Sequence, residues 1–321
     1  NALDPQTYNG DQKIHGIFAN IEYQLSSKLS AVLGLRGENI VQKVAWNTQL
    51  DPEGDADQFE KNAFLPSVSA RYEVNDKQNL RLGFSKTYTL PQFKERALFV
   101  YEDITEVHTG NPDLYPSDNY NFDLKWEMFP EDEEIISIGA FGKYIQNPIN
   151  EVTIASSTND ISYLNTGDKG YAAGIELEYR KLIFKTNEEN ANKLSAGLNA
   201  SYMYTEQELD PAKVKLETAY EADFTDSTSQ FTGASPLLLN ADVTFVKEWN
   251  AKKSSVAGTL AFTYFSDRVY SLGTSNRGNL VDKAVGTLDF IVKSKINEKL
   301  GLDFGIKNIL NPVIDRVQEN K

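Results

Sequence analysis

Residues 120–128 read YNFDLKWEM, so Tyr120, Phe122, Leu124, Trp126 and Met128 alternate without a break with Asn121, Asp123, Lys125 and Glu127. Successive side chains of a strand point to opposite faces, and this segment therefore presents one apolar and one polar face. The same period of two recurs in Ile17, Ala19, Ile21 and Tyr23 against Asn20, Glu22 and Gln24, and in Ile175, Leu177 and Tyr179 against Glu176, Glu178 and Arg180. Leu300, Leu302, Phe304 and Ile306 against Gly301, Asp303, Gly305 and Lys307 make the fourth case. A soluble sandwich and a barrel in lipid both alternate, so alternation alone leaves the two open.

The connections discriminate. Patterning marks about twelve strands, at 12–25, 29–46, 62–74, 78–89, 118–128, 134–146, 170–183, 193–206, 236–249, 253–266, 283–296 and 299–309. Short turns fall at Ser26-Ser27-Lys28, Asn75-Asp76-Lys77, Pro130-Glu131-Asp132, Asn250-Ala251-Lys252 and Asn297-Glu298, with a longer one over Lys185–Asn192. Long polar connections lie between them at 47–61, 90–117, 147–169, 207–235 and 267–282. Short turns at one end and long loops at the other are the habit of outer-membrane barrels, whereas Greek-key sandwiches mix connection lengths. A tilted spanning strand needs about 9–11 residues, which these segments reach or exceed. The expected fold class is all-β, an antiparallel up-and-down transmembrane β-barrel. Its first strand starts, and its twelfth ends, at the long-loop end. Residues 1–321 are therefore expected to be one partial barrel domain, with at least one more strand on each side.

Composition agrees. Mean hydropathy is -0.45, and no window offers the roughly 18 consecutive apolar residues of a membrane helix. A barrel strand shows lipid only every second residue, so its hydropathy averages out. The 16 Tyr and 17 Phe enrich the chain in residues that suit strands and membrane interfaces. With no Cys and two His, thiol chemistry, disulfides and the usual zinc sites drop out, and His15 and His108 stand alone. They read as surface or wall histidines, not general bases. No catalytic residue and no cofactor is expected. The net charge of -14 argues against a nucleic-acid partner. The opening Asn1-Ala2-Leu3-Asp4-Pro5 carries no signal-peptide pattern.

If the apolar face meets lipid, then Arg36, Glu38, Arg71, Glu73, Arg81, Asp123, Lys125, Glu127, Glu176, Glu178, Arg180, Asp242, Asp303 and Lys307 point inward. Their mixed signs suit ion-pair ladders, and Arg36, Glu38, Arg71, Arg81, Asp123 and Lys125 are the candidates for contact with a plug. Aromatics near strand ends, among them Tyr23, Trp46, Tyr72, Tyr88, Trp126, Tyr144 and Trp249, are candidates for interfacial girdles.

The stretch Asn79–Met128, NLRLGFSKTYTLPQFKERALFVYEDITEVHTGNPDLYPSDNYNFDLKWEM, carries the most specific signal. Arg81, Ser85, Leu90-Pro91, Gly110-Asn111-Pro112, Leu114, Pro116 and Asn119–Asn121 follow one another there in an order that resembles the barrel of TonB-dependent outer-membrane receptors, in a Bacteroidetes-like form. Phe141–Ile149 (FGKYIQNPI), Tyr163-Leu164-Asn165 with Gly174-Ile175-Glu176, Ser235-Pro236-Leu237 with Asn240, and Lys307–Asn311 resemble later elements of the same family. The resemblance runs from about residue 12 to 318. It implies about 12 strands of a barrel of roughly 22, together with an N-terminal plug and a short segment that contacts the TonB complex. Neither the plug nor that segment is matched in these residues. The family's last strand closes on an aromatic, where this chain reads Glu319-Asn320-Lys321. Implied partners are outer-membrane lipid, the receptor's own plug and the TonB complex, with a surface lipoprotein as a further candidate. Physically, the prolines and glycine of Gly-Asn-Pro-x-Leu-x-Pro end a long loop and set how the next strand enters.

In the loop 90–117, Phe93, Arg96, Phe99 and Tyr101 are candidate ligand contacts, the rings for stacking and the guanidinium for a carboxylate. Glu102, Asp103 and Glu106 follow them. Asp51, Glu53, Asp55 and Asp57 have alternate-carboxylate spacing, although Ala56 and Asn62 stand where an EF-type calcium loop wants Gly and Glu. The leading expectation is the barrel of an energy-coupled importer of a scarce large solute: a siderophore, cobalamin, a glycan or a peptide. A passive porin and a soluble all-β binding protein are the alternatives.

Overall fold

The computed structural model describes residues 6–102, 106–154, 160–186, 192–249 and 253–320. Twelve long strands build one antiparallel wall: β1 (Thr7–Gln24), β2 (Leu29–Thr48), β3 (Asp51–Asn75), β4 (Gln78–Thr89), β5 (Ser117–Met128), β6 (Ile135–Gln146), β7 (Lys169–Thr186), β8 (Asn192–Glu208), β9 (Leu237–Trp249), β10 (Ser254–Phe265), β11 (Val285–Lys295) and β12 (Gly301–Ile306). Each pairs with its neighbours in chain order, which is the up-and-down topology. All twelve expected strands are present. Of the expected short connections, 187–191 and the turn at 250–252 lie outside the described residues.

Register carries the alternation from strand to strand. Ile21 lies opposite Leu33, Leu33 opposite Val68, Val68 opposite Phe84, and Phe84 opposite Phe122. Leu124 sits between Leu82 and Ala140. A slip of one residue would turn every such side chain to the other face, so the pattern itself specifies the pairing. The result is a continuous apolar face on which Ile21, Leu33, Phe84 and Phe122 stay exposed.

The short turns follow local chemistry. Ser26 Oγ accepts from the backbone N–H groups of Lys28 and Leu29, Asn75 Oδ1 from that of Lys77, and Asn297 Oδ1 from those of Lys299 and Leu300. Ser and Asn side chains stand in for backbone acceptors in this way and tighten the turn.

The opposite end departs from expectation. Residues 47–61 are not a loop: β2 runs to Thr48 and β3 begins at Asp51, so the hairpin projects as a paired ribbon. Both faces of this part are polar, so the period-two signal vanishes although the strands continue. Gly54, at φ 77°, absorbs the local irregularity in register, and a Cβ there would lie 2.9 Å from the Trp46 carbonyl oxygen. The other long connections carry structure of their own. Val100–Glu102, Val107–Thr109, Ile161–Asn165 and Ile149–Thr153 form one small sheet, and Arg268–Ser271, Leu280–Asp282 and Arg316–Gln318 form another. Two short helices, α1 (Phe93–Arg96) and α2 (Pro211–Glu217), complete them. Buried apolar packing concentrates here and not in the wall: Val152, Leu164, Leu209, Val214, Phe224 and Leu272 share one cluster.

Candidate functional site

The polar face of the wall is laced with ion pairs. Arg81 Nε donates to Glu127 Oε2 at 2.8 Å, Lys125 Nζ lies 3.6 Å from both Glu127 and Glu178, and Arg180 reaches Asp242 at 3.3 Å. Arg36 donates to Glu38 at 2.7 Å, and Arg71 contacts Asn79 and Glu73 at 3.3 Å. By register Arg36, Glu38, Arg71, Arg81, Asp123 and Lys125 all share this face. Tyr120, Tyr144 and Tyr171 form a row across three strands on the apolar face, with ring centroids 6.0 and 5.2 Å apart. Trp46 is buried beside Val44 and Ala97, and Tyr88 donates to Glu38. Those two aromatics are thereby withdrawn from the girdle.

The loop 90–117 is held to the wall by α1. Glu95 accepts from the Gln92 N–H and closes a capping box on this single turn. Phe93 packs over the backbone of Gly10, where any Cβ would collide with its ring. Arg96 has 0% exposure: its guanidinium donates to Gln42 and Asp57 and lies 4.6 Å from the Phe59 ring centroid. The carboxylate that Arg96 meets thus belongs to the protein. Phe99 packs edge-on to Tyr8 and 4.6 Å from Tyr101, and of the four candidate contacts Tyr101 lines an open cavity.

The Gly-Asn-Pro element locks two loops together. Asn111 is fully buried, donates from Nδ2 to the Tyr163 carbonyl at 2.9 Å, and accepts at Oδ1 from the Asp113 N–H. Asn165 accepts from the Tyr115 N–H and donates to the carbonyls of Tyr115 and Asn147. Gly110 is required because a Cβ would sit 1.8 Å from the Ala97 carbonyl oxygen.

Residues that no motif marked converge above this lock. Tyr270 donates to Glu106 at 2.9 Å and lies 3.2 Å from His108 Nε2. Arg316 donates to Glu106 and, at 2.7 Å, to Asp282, which also accepts from Arg268; its guanidinium covers the Tyr270 ring. His108 is thus neither a surface nor a wall residue, but part of a three-loop junction. Burial pushes the Glu106 carboxyl up, yet the hydrogen bonds from Arg316 and Tyr270 outweigh it and hold the group below its ordinary range. Burial and the neighbouring Glu106 raise the Tyr270 phenol. Beside the junction opens a cavity of about 1030 Å3, to which Tyr101, Glu102, Glu151, Tyr163 and Tyr270 contribute. Burial pushes the Glu151 carboxyl up. In the sequence Tyr163-Leu164-Asn165 reads as a loop return, whereas no motif or spacing marks Glu151 or Tyr270.

Three of the four spaced carboxylates go to separate partners. Asp51 accepts from Trp46 Nε1, Asp55 from the Ala56 N–H and Asp57 from Arg96. Among the described residues no three His, Cys, Asp or Glu side chains converge as a metal site.

The family model for the TonB dependent receptor-like β-barrel matches residues 1–309. Comparison with curated proteins gave no match. Among solved structures, the chain is similar to the ferric yersiniabactin uptake receptor FyuA from Yersinia pestis, at TM-score 0.62 and 12% identity over 95% of this chain and 42% of that one. The siderophore receptor PiuA from Acinetobacter baumannii gives TM-score 0.62 and 12% identity over 96% and 40%. The FrpB iron transporter from Neisseria meningitidis gives TM-score 0.56 and 12% identity over 98% and 44%. The chain spans less than half the length of these three structures.

Proposed function

Because the chain belongs to the TonB-dependent receptor β-barrel family, whose members are outer-membrane receptors and transporters and not enzymes, we propose that it is the barrel part of an importer for a scarce large solute. In this reading residues 1–321 form a partial barrel, while a plug, further strands and the TonB-contacting segment lie outside the sequence described. The plug fills the lumen, and the TonB complex moves it. Outer-membrane lipid covers the apolar face, and a surface lipoprotein can cap the loops. A ferric siderophore, cobalamin, a glycan or a peptide would be bound at the loop end and released by conformational change, without bond cleavage. Among these, uptake of a ferric siderophore draws its support from the similar ferric yersiniabactin uptake receptor and siderophore receptor.

The observation that supports import over free diffusion is the internal order of the long-loop end, where two small sheets and a buried apolar cluster stand over the wall. Arg36, Glu38, Arg71, Arg81, Asp123 and Lys125 are the proposed wall contacts of the plug, and Tyr101 is the loop residue best placed to touch solute. Conductance of the full-length protein in planar bilayers tests this. A plugged importer shows no steady ion current until the plug is deleted, whereas a porin conducts from the start and would overturn the reading.

A further inference from the structure

The loop-end cavity is acidic in a particular way. The connections 90–116, 147–168, 209–236 and 266–284 hold 15 Asp and Glu against 7 Lys and Arg. Several of these carboxylates are already satisfied: Glu106 and Asp282 by Arg316, and Asp282 also by Arg268. Glu151 is not. Its carboxylate lines the cavity and makes no hydrogen bond or ion pair among the described residues; Lys94, His108 and Arg316 act on it only through space, and Glu95 opposes them. An ionised group left without a partner in a partly buried position costs free energy that a bound cation would recover. Next to it, Tyr163 is 6% exposed and lines the same cavity, and its hydroxyl makes no hydrogen bond among the described residues. Across the strand pair from Glu151, the Tyr163 hydroxyl thus joins an unpaired carboxylate in a cavity whose nearest cations, Lys94 and Arg316, make no ion pair with Glu151.

Resting on the receptor reading above, we propose that this cavity is a recognition subsite for a cationic group of the imported solute, a primary ammonium carried on an amino sugar or a short peptide. Glu151 accepts two of its N–H bonds, the Tyr163 hydroxyl accepts the third, and the rings of Tyr101 and Tyr163 offer their π-faces to the charge. An iron complex carrying net negative charge would meet repulsion from the acidic loops, and the guanidinium groups of Arg96 and Arg316 are both engaged inside the protein, which leaves Lys94 as the cation on the cavity wall.

Calorimetry on the full-length receptor in detergent at neutral pH decides it, with trilysine and the trimer of glucosamine as probes and their N-acetylated forms as neutral controls. At least one amine probe should bind, and its acetylated form should bind about tenfold more weakly or worse. Which probe binds separates peptide from amino sugar. Glu151→Gln and Tyr163→Phe should each weaken amine binding, by about tenfold or more for Glu151→Gln. Heat-modifiable gel migration establishes that each variant retains its barrel. If Glu151→Gln does not fold, Tyr163→Phe, which removes one oxygen, carries the test alone. Absence of amine binding, equal binding of acetylated probes, or amine affinity unchanged by the variants overturns the proposal. An open pore in bilayers with amine binding intact would remove the importer reading and leave the subsite. A plugged receptor that ignores both amines would do the reverse.

Discussion

Arg96 shows how a residue type can point to one role and its surroundings assign another. An arginine in an aromatic loop fits ligand recognition, but with 0% exposure, and with Gln42 and Asp57 as acceptors, it fastens α1 to the projecting hairpin. Arg96→Ala leaves Gln42 without its buried donor and is expected to cost about 1–3 kcal/mol locally. Limited proteolysis should then cut within 90–116 faster, while gel migration of the folded barrel stays unchanged. Glu106 allows a test by pH. Its folded carboxyl titrates below the unfolded one, so its contribution is complete above the unfolded value of about 4.3 and is lost as pH falls through the lowered folded value. The junction with Tyr270 and Arg316 should loosen below about pH 4, followed as near-ultraviolet circular dichroism. Glu106→Gln should remove that transition; a transition that persists in the variant would place it elsewhere.

At the scale of the strand, the two faces of β5 make opposite demands. Leu124 faces the apolar side between Leu82 and Ala140, whereas Asp123 and Lys125 face the polar side. Leu124→Arg should cost about 2–4 kcal/mol if it lies near the bilayer midplane, read from urea unfolding in lipid vesicles. Asp123→Asn should change stability little. Equal costs at 123 and 124 would contradict the assignment of faces. The strands were legible because each of these positions obeys a local rule. β3 marks the limit of that rule: its outer part, residues 51–61, is a strand with polar residues on both faces, and only its pairing with β2, not periodicity, reveals it. The small loop sheets escaped for a related reason, since runs such as Val107–Thr109 are too short to show a period.

For the whole molecule, topology assigns the short turns to one side of the membrane and the folded loops to the other. Trypsin added to intact cells should cleave after Lys215 in α2, where Leu216 is 87% exposed, and spare Lys28 and Lys77 in the turns. Mass spectrometry of the released peptides reads the result, and cleavage at the turns would invert the orientation. Alternation, turn chemistry and the order of the motifs were enough to announce a twelve-strand wall of an outer-membrane receptor, because lipid and lumen impose a contrast on every second residue that any short window can register. The cavity could not be announced in that way. Glu106 and Arg316 meet across 210 positions, and Asn111 reaches Tyr163 across 52. Which carboxylate finds a partner, and which is left facing an empty volume, follows from where three loops come to rest on one another, and no local spacing encodes it.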